Sequence, residues 1–413
     1  YVGLVSILLC SMLGGMRGVT WTQVAQYIVL IVAYLLPVFW ISNKMGAGFF
    51  PHFMLADEVA RIGELEQQFG FVANSKENLA MVPKGLAGIT KAHSAVNATP
   101  WAFISLALAM MMGTASLPHV MMRYFTTPSV KAARKSVGWS LFFIFLLYSS
   151  APMLATLSKL SLIDPNLSTG IIGKSFAEVQ AIDWFQNWNQ ANLMFISDFN
   201  GNGTLELNEF FMGGKAVVLA TPEIAGLPYV ISGLVAAGGM AAAMSTADGL
   251  ILAIANALSH DLYYKIIDPK AETAKRLVVA RVLLVVIGFA GATIAAMEIQ
   301  GILGSVIWAF DFAMSGLFFP LVLGVWWKRA NKEGAIAGMA LGLISGAWYL
   351  VWVRTGGSGF LGITQLTFGI FGSAVSLVSM VVVSLITSAP NAATQKMVDE
   401  VRVPSGRTIL GKQ

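Results

Sequence analysis

The sequence predicts an all-α membrane protein that crosses the bilayer several times. Of its 413 residues, 56% are hydrophobic and only 11% are charged, whereas an average soluble domain is about 45–50% apolar and about 25% charged. The mean hydropathy is +0.71. This composition excludes a soluble enzyme. The net charge of +5 does not indicate nucleic-acid binding, because the charged loops of a membrane protein produce such an excess on their own.

Apolar windows of about 20 residues, the length that crosses the hydrocarbon core, predict nine transmembrane helices. The first window is short, and Tyr1 is neither an initiator Met nor part of a signal peptide. We therefore expect a fragment that lacks upstream sequence. The nine windows lie at approximately 2–16, 21–43, 98–122, 137–159, 226–262, 278–298, 303–327, 335–354 and 362–387.

The distribution of basic residues predicts the orientation of the chain. Most of the 26 Lys and Arg residues lie in alternate loops and in the tail at 391–413, and such loops are usually cytoplasmic. The C-terminus is therefore expected inside the cell. The long segments 44–97 and 160–225 are then outside, and we expect them to form short surface helices rather than separate domains. Cys10 is the single cysteine, so no internal disulfide is possible.

The third predicted helix contains a break at 113–119, where Gly113 is followed by Thr114, Ser116 and Pro118. Proline removes a backbone donor, and the two hydroxyl groups are placed to bind the carbonyl groups that this leaves unpaired. A broken helix in a membrane exposes backbone groups that suit an ion or a small anion. The alternative is an ordinary proline kink. Thr114 and Ser116 are the candidate contacts for a solute.

The fifth predicted helix carries two adjacent hydroxyl groups, on Ser245 and Thr246, one turn after the carbonyl of Ala242. Uncharged oxygen ligands of this kind suit an alkali cation. The alternative is that each hydroxyl binds only the preceding turn of its own helix, which is common for Ser and Thr in membrane helices.

Two acidic residues, Asp248 and Asp311, lie within predicted membrane helices. A carboxylate at membrane depth costs about 2.5–3.5 kcal/mol on insertion scales, and it is therefore usually paired or functional. Both residues are candidates for an ion route. The alternative for each is a structural hydrogen bond to a neighbouring helix.

The second long loop contains a twelve-residue pattern, 198–209, that fits an EF-hand calcium loop at every ligand position. Gly203 permits the sharp turn in the middle of such a loop, and Leu205 occupies the position of the usual apolar anchor. The alternative is a turn rich in Gly and Asn that binds no metal. The predicted calcium ligands are Asp198, Asn200, Asn202, Thr204, Glu206 and Glu209.

Three groups of residues resemble motifs of the sodium:solute symporter family, and in particular its branch of cation/acetate symporters (acetate permeases). They cover most of the chain and are fairly specific in combination. The groups are Gly14-Gly15-Met16 followed by Trp21-Thr22-Gln23; the stretch from Gly113 to Arg123 with Phe125-Thr126; and Ser245 to Asp248 with Ser259-His260-Asp261-Leu262-Tyr263.

This resemblance implies the leucine-transporter fold, with two inverted repeats of five helices. Residues 1–43 would supply the last two helices of the first repeat, 98–327 the second repeat, and 328–390 two accessory helices. It also implies that Ala242, Ser245 and Thr246 form half of a sodium site whose other half lies on a missing N-terminal helix. Relatives that transport sugar or proline carry an acid where this chain has Gln23. This difference argues against a second cation-binding step at Gln23.

Together these features predict a fragment of a sodium-coupled symporter in the bacterial inner membrane. By resemblance, its solute would be a small organic molecule, a short monocarboxylate such as acetate. Na⁺ would be the coupling ion and Ca²⁺ a possible ligand of the outer loop. The predicted partners are the lipid bilayer, the solute and the missing N-terminal helices. A passive cation pathway and a symporter-like sensor domain remain alternatives.

Overall fold

A computed structural model of the chain describes residues 1–46, 48, 51–69, 100–297, 299 and 301–402. Within these residues the regular elements are helices, apart from one two-stranded sheet. In chain order the elements are α1 (Val2–Lys44), α2 (Leu55–Gln68), α3 (Pro100–Ser116), α4 (Pro118–Met121), α5 (Val130–Ile163), α6 (Phe176–Gln180), α7 (Asp183–Gln190), β1 (Met194–Ile196), β2 (Phe210–Met212), α8 (Val217–Ile224), α9 (Tyr229–Asn256), α10 (Thr273–Ala296), α11 (Ile302–Ala313), α12 (Phe319–Trp326), α13 (Lys332–Arg354), α14 (Gly369–Ile386) and α15 (Ala392–Glu400).

Among the described residues, seven helical segments are long and apolar enough to cross a membrane. The bent pair formed by α3 with α4 and the turn after it would be an eighth. Two of these segments contain π-helical turns, which continue α9 through Ala257–Ile267 and join α11 to α12 through Met314–Phe318. Each predicted window lies on one of these helices, so the helical class of the fold is confirmed.

Helix α1 contains two arms that meet at Gly15. This residue has φ 50° and ψ −151°, which only glycine adopts without strain. Before the bend, Gly3 lies near Met240 and Ser11 contacts Asp248, so this arm runs parallel to α9. After the bend, Gln23 contacts Ser245 and Ala33 lies against Gly238, so the second arm runs antiparallel to α9. The two arms coincide with the first two predicted windows.

The described residues fall into two compact units, and each is treated separately below. The first contains the described residues of 2–92 and 138–248. The second contains Tyr1 and the described residues of 93–137 and 249–413.

In the first unit, α2 and the segment after α5 share one apolar core, in which Ile62 and Leu65 of α2 are buried. Two ion pairs fasten α2 to the end of α5: Lys159 with Glu66, and Asp164 with Arg61. The side chains of Lys159 and Asp164 are fully buried. Because buried charges need partners, these pairs fix the position of α2.

The segment between α5 and α9 is more than a set of short surface helices. Its two strands form an antiparallel hairpin in which Phe195 pairs with Phe211, with ring centroids 4.4 Å apart. Residues 176–196 form α6, α7 and β1. The capping box of Ser175 and Glu178 begins α6.

In the second unit, a stripe of glycines on α13 lets α14 and the π-helical turn approach closely. A Cβ on Gly342 would lie 2.8 Å from the Cβ of Ser376, and one on Gly346 would lie 2.8 Å from the Oγ of Ser315. Small residues of this kind permit close packing of membrane helices. The stripe consists of Gly334, Gly338, Gly342 and Gly346.

Candidate functional site

The predicted sodium ligands lie in the middle of α9. The hydroxyl of Thr246 donates to the carbonyl of Ala242 at 3.3 Å, so the two oxygen atoms lie side by side. The side chain of Thr246 is exposed, and that of Ser245 is half-buried. This hydrogen bond to the preceding turn of the same helix is the alternative that the sequence left open for Thr246. The same hydrogen bond keeps both oxygen atoms on one accessible face of the helix, where a cation or a further helix could contact them.

Asp248 lies one turn beyond Ser245 and is fully buried. Its Oδ1 accepts a hydrogen bond from the hydroxyl of Ser11 at 3.3 Å, which joins the first arm of α1 to α9. On the second arm, the amide of Gln23 donates to the backbone carbonyl of Ser245 at 2.6 Å. Both arms of α1 therefore present polar groups to the same two turns of α9.

Sequence reasoning missed Ser11 as a partner, and it noted Gln23 only as a departure from other families. Each is more than 200 residues away from its partner on α9. The sequence signal was the presence of polar side chains within two otherwise apolar windows. The reversal at Gly15, which brings both of them to α9, is not visible in the periodicity.

The break predicted in the third helix is present. Helices α3 and α4 are separated by Leu117 and bent by 48°. The hydroxyl of Thr114 donates to Met110 at 2.6 Å, and that of Ser116 donates to Met112 at 2.7 Å and to Gly113 at 3.0 Å. Ser116 is fully buried. Both hydroxyls thus bind carbonyls of their own helix, as expected at a proline kink.

Asp311 lies at the end of α11 and is fully buried. Its carboxylate lies beside the backbone amides of Phe368 and Gly369 at the start of α14. Neither carboxylate oxygen forms a hydrogen bond of standard geometry within the described residues. Its own backbone carbonyl accepts from Ser315 Oγ at 2.7 Å. Asp311 belongs to the second unit and Asp248 to the first, so each is considered alone.

The calcium-type loop connects β1 to β2. Asp198 accepts from the amides of Gly201 at 2.7 Å and Gly203 at 3.0 Å, and the amides of Asn200 and Asn202 both approach Glu206 Oε1 at 3.0 Å. The side-chain amide nitrogens of Asn200 and Asn202 thus face Glu206. Their oxygens instead accept from backbone amides that tighten the turn: the amide of Asn202 donates to Asn200 Oδ1 at 2.9 Å, and that of Thr204 donates to Asn202 Oδ1 at 2.7 Å.

Two further observations describe this loop. The side chain of Leu205 is fully buried, so the apolar anchor lies where the pattern predicted it. The backbone amide of Leu205 donates to the backbone carbonyl of Lys174 at 2.8 Å. Glu209 instead binds the amides of Phe199 and Glu206 with its two oxygens. Across the part of the chain that the structure describes, no three His, Cys, Asp or Glu side chains form a group able to hold a metal ion.

Comparison with known proteins places these helices in a family. The sequence model of the sodium:solute symporter family matches residues 1–164 and 215–342. The matched part contains α1, α5 and α9, including every predicted sodium ligand. The residues between the two matched stretches, 165–214, contain α6, α7, the hairpin and the calcium-type loop.

Individual proteins agree with this match. An uncharacterized symporter of Cupriavidus necator is 34% identical over 97% of this chain and 71% of that protein. A monocarboxylic acid transporter of Corynebacterium glutamicum is 26% identical over 83% of this chain and 54% of that protein. A structure of a Na⁺-coupled sialic acid symporter has a TM-score of 0.56 at 18% identity, over 94% of this chain and 68% of that one. The chain therefore belongs to the sodium:solute symporter family, a family of membrane transporters and not of enzymes.

Proposed function

We propose that this chain belongs to a sodium-coupled symporter that imports a short monocarboxylate such as acetate. Its family supports sodium as the coupling ion. The relative from Corynebacterium glutamicum, which is described as a monocarboxylic acid transporter, supports the class of solute. We place the protein in the bacterial inner membrane with its C-terminus in the cytoplasm.

The observation that carries this proposal is the pair of oxygen atoms on the exposed face of α9, the carbonyl of Ala242 and the hydroxyl of Thr246, 3.3 Å apart. Together with Ser245 they would supply uncharged ligands for Na⁺. The rest of the coordination shell would come from a helix of the same protein that precedes Tyr1, as the resemblance implies. Discontinuous helices and unwound backbone are the usual source of such ligands in these transporters.

Two buried acids are proposed to line the ion route, Asp248 beside Ser11 and Asp311 beside the start of α14. A carboxylate at membrane depth is costly, so each would favour the nearby passage of a cation. The bend between α3 and α4 is proposed to contact the solute. Thr114 is exposed there. To bind the solute, the hydroxyl of Thr114 would have to leave the carbonyl of Met110, and the hydroxyl of Ser116 would have to leave the carbonyls of its own helix.

Uptake of radiolabelled acetate into proteoliposomes that contain the full-length parent protein tests the function. An inward sodium gradient is expected to accumulate acetate above its external concentration, and replacing sodium with potassium is expected to abolish the accumulation. Equilibration without accumulation would indicate a passive pathway. The absence of any acetate flux, in protein that still binds sodium, would favour a different solute or a sensor.

We further propose that the loop 198–209 binds Ca²⁺ and stiffens the segment around the hairpin. Its support is the fit of the loop to the EF-hand pattern at every ligand position, together with the buried anchor Leu205. Ion binding would require the side-chain amides of Asn200 and Asn202, whose nitrogens face Glu206, to turn their oxygens inward. Ion binding would require Glu209 to leave the amides of Phe199 and Glu206 and to act as the bidentate ligand. The three acids of the loop suggest a dissociation constant of about 10⁻⁴–10⁻³ M, as in extracellular modules.

Isothermal titration of the parent protein with CaCl₂ tests this second proposal. We expect a saturable heat that Glu209→Gln abolishes. Glu178→Gln, which alters an acid of the same segment outside the loop, is expected to leave the heat unchanged. If wild-type protein shows no calcium-linked heat, or if Glu209→Gln retains it, the loop is only a turn.

A further inference from the structure

A cleft lies where α7, α8 and the first turns of α9 meet within the first unit. Its volume is about 760 Å³, within the range of roughly 300–1,000 Å³ that is typical of small-molecule sites. Aromatic rings form much of its wall. Trp184 and Trp188 lie one turn apart on α7, and Tyr229 begins α9 with 87% of its surface exposed. We call this site the tryptophan cleft.

Among the described residues that line the tryptophan cleft, the charged ones are Asp183 on α7 and Glu223 on α8, and both are acidic. Trp188 Nε1 donates to Glu223 Oε2 at 2.9 Å, so this carboxylate is held against an indole ring. The nearby ammonium group of Lys44 is not among the lining groups, and it donates to the backbone carbonyl of Ala225 at 2.7 Å. The cleft therefore repels anions, including the monocarboxylates proposed above.

A polar group inside the tryptophan cleft lacks a partner. The hydroxyl of Ser232, one turn into α9, is buried and makes no hydrogen bond to any described residue. A buried hydroxyl without a partner is energetically costly. Its oxygen is shielded from the cleft, so a ligand would reach it only after the Ser232 side chain rotates.

Aromatic faces and carboxylates together select cations that carry apolar groups. Such cations are attracted to the negative face of the rings, best of all to Trp, and quaternary ammonium ligands are bound by aromatic cages in this way. A bare alkali ion gains less here, because the rings would displace its hydration shell without supplying oxygen ligands. We propose that the tryptophan cleft binds a small organic cation of the ammonium class.

The composition of the tryptophan cleft separates it from the family's transport machinery. Helix α7, with both tryptophans and Asp183, lies in the stretch 165–214 that the family model does not match, while α8 and α9 lie in matched residues. The unmatched segment thus contributes the two tryptophans and one acid to the cleft, and the matched helices contribute the rest. This inference does not rest on the proposed function, and either can fail alone.

Titration of the purified parent protein with tetramethylammonium chloride tests the inference. The chloride concentration is held constant with KCl, and binding is followed by tryptophan fluorescence and calorimetry. We expect saturable binding, and we expect Trp184→Leu and Glu223→Gln each to weaken it about tenfold. Choline, which carries the same charged group, is expected to bind as well. Its uncharged analogue, 3,3-dimethylbutan-1-ol, is expected not to bind.

Matched controls keep the test decisive. Trp139→Leu removes an exposed tryptophan of α5 that lies outside the cleft, and it is expected to leave binding unchanged. Asp183→Asn alters only an exposed side chain, so it provides a folded variant if Trp184→Leu is unstable, and it should weaken binding while sodium-driven uptake is retained. Absence of saturable binding, equal binding by the uncharged analogue, or unchanged binding in both Glu223→Gln and Asp183→Asn would overturn the inference.

Discussion

The buried charged residues of this chain differ in the partners that they contact. Lys159 and Asp164 are fully buried, and each is matched by an opposite charge on α2. Asp248 is matched by the hydroxyl of Ser11, a weaker partner. Removing one member of a buried ion pair usually costs about 3–5 kcal/mol, because the other charge is left uncompensated. The pairs on α2 are therefore structural.

Glu58 gives the stability of α2 a dependence on pH. Burial raises the pKa of this carboxyl group; Arg61 opposes the increase, while Asp164 and Asp57 add to it. The folded protein therefore holds the proton of Glu58 more tightly than the unfolded chain does. As a result, the free energy of unfolding falls as pH rises from the ordinary Glu pKa of about 4.3 through the raised pKa of the folded state. Glu58→Gln is expected to remove this part of the decline and to raise the melting temperature at neutral pH.

Melting temperatures of the purified parent protein across pH 4 to 8 measure this effect. Glu64→Gln, on the exposed side of α2, is the control and should leave the slope unchanged. An identical decline in wild type and Glu58→Gln would show that this carboxyl group is not the source.

The candidate site shows what residue types alone can predict. The intramembrane acids Asp248 and Asp311 were identified from sequence because a carboxylate in an apolar window is costly, and both are fully buried. The partner of Asp248 could not be identified, because Ser11 is 237 residues away and nothing local marks the pairing. The hydroxyls of Thr114 and Ser116 both bind their own helix, which is the local alternative that the sequence allowed.

At the scale of elements, several of the long helical segments contain a bend, a break or a π-helical turn. Gly15 reverses α1, Pro118 follows the bend after α3, and a π-helical turn separates α11 from α12. Each interruption lies beside a buried polar group or a close helix contact. At the bend, a Cβ on Gly113 would lie 2.6 Å from the Cβ of Phe310. Breaks at membrane depth are tolerated where protein or a cavity covers the backbone.

The glycine stripe of α13 predicts a sharp sensitivity to added volume. A Cβ on Gly342 would meet the carbonyl of Ser315 and the Cβ of Ser376. Backbone cannot yield as a flexible side chain does, so Gly342→Ala is expected to destabilise the protein by about 1–3 kcal/mol, the usual cost of overpacking. Gly291→Ala is the control, because that position on α10 has open space around it.

The melting temperature of each variant measures the difference. A Gly342→Ala protein as stable as the Gly291→Ala protein would contradict the tight contact between α13 and the π-helical turn.

Elements with strong periodicity were predictable, and elements held by distant contacts were not. The amphipathic face of α2 and the apolar windows follow from local pattern. The hairpin of β1 and β2 does not, since Phe195 pairs with Phe211 across the intervening loop, and three-residue strands leave no clear alternation. The calcium-type loop between them was visible because its turn residues occupy fixed positions.

At the scale of the whole molecule, the composition was sufficient to predict a helical membrane protein, and the motif resemblance identified the family. The matched stretches, 1–164 and 215–342, confirm that resemblance, and the likeness to a Na⁺-coupled symporter confirms a fold of the leucine-transporter type. The exact number of spans and the domain boundaries remain predictions. They depend on how the helices cross a bilayer, which hydropathy does not determine at a bend such as that of α1.

The predicted orientation has a direct test. In a cysteine-free background of the parent protein, Gln190→Cys places a thiol on α7, outside the cell in our proposal, and Ala393→Cys places one on α15, inside it. A membrane-impermeant maleimide is expected to label the first on intact cells and the second only after permeabilisation. Labelling of Ala393→Cys on intact cells would reverse the orientation.

The sodium dependence of acetate uptake by the full-length parent tests the central claim most directly. A ligand to a charged group is worth about 1.5–3 kcal/mol, and 1.4 kcal/mol is a factor of ten. Thr246→Ala should therefore raise the half-saturating sodium concentration by about tenfold or more. Thr293→Ala removes a hydroxyl that is likewise bonded to its preceding turn, and it should leave the sodium curve unchanged. Superimposable sodium curves for wild type and Thr246→Ala would contradict the account.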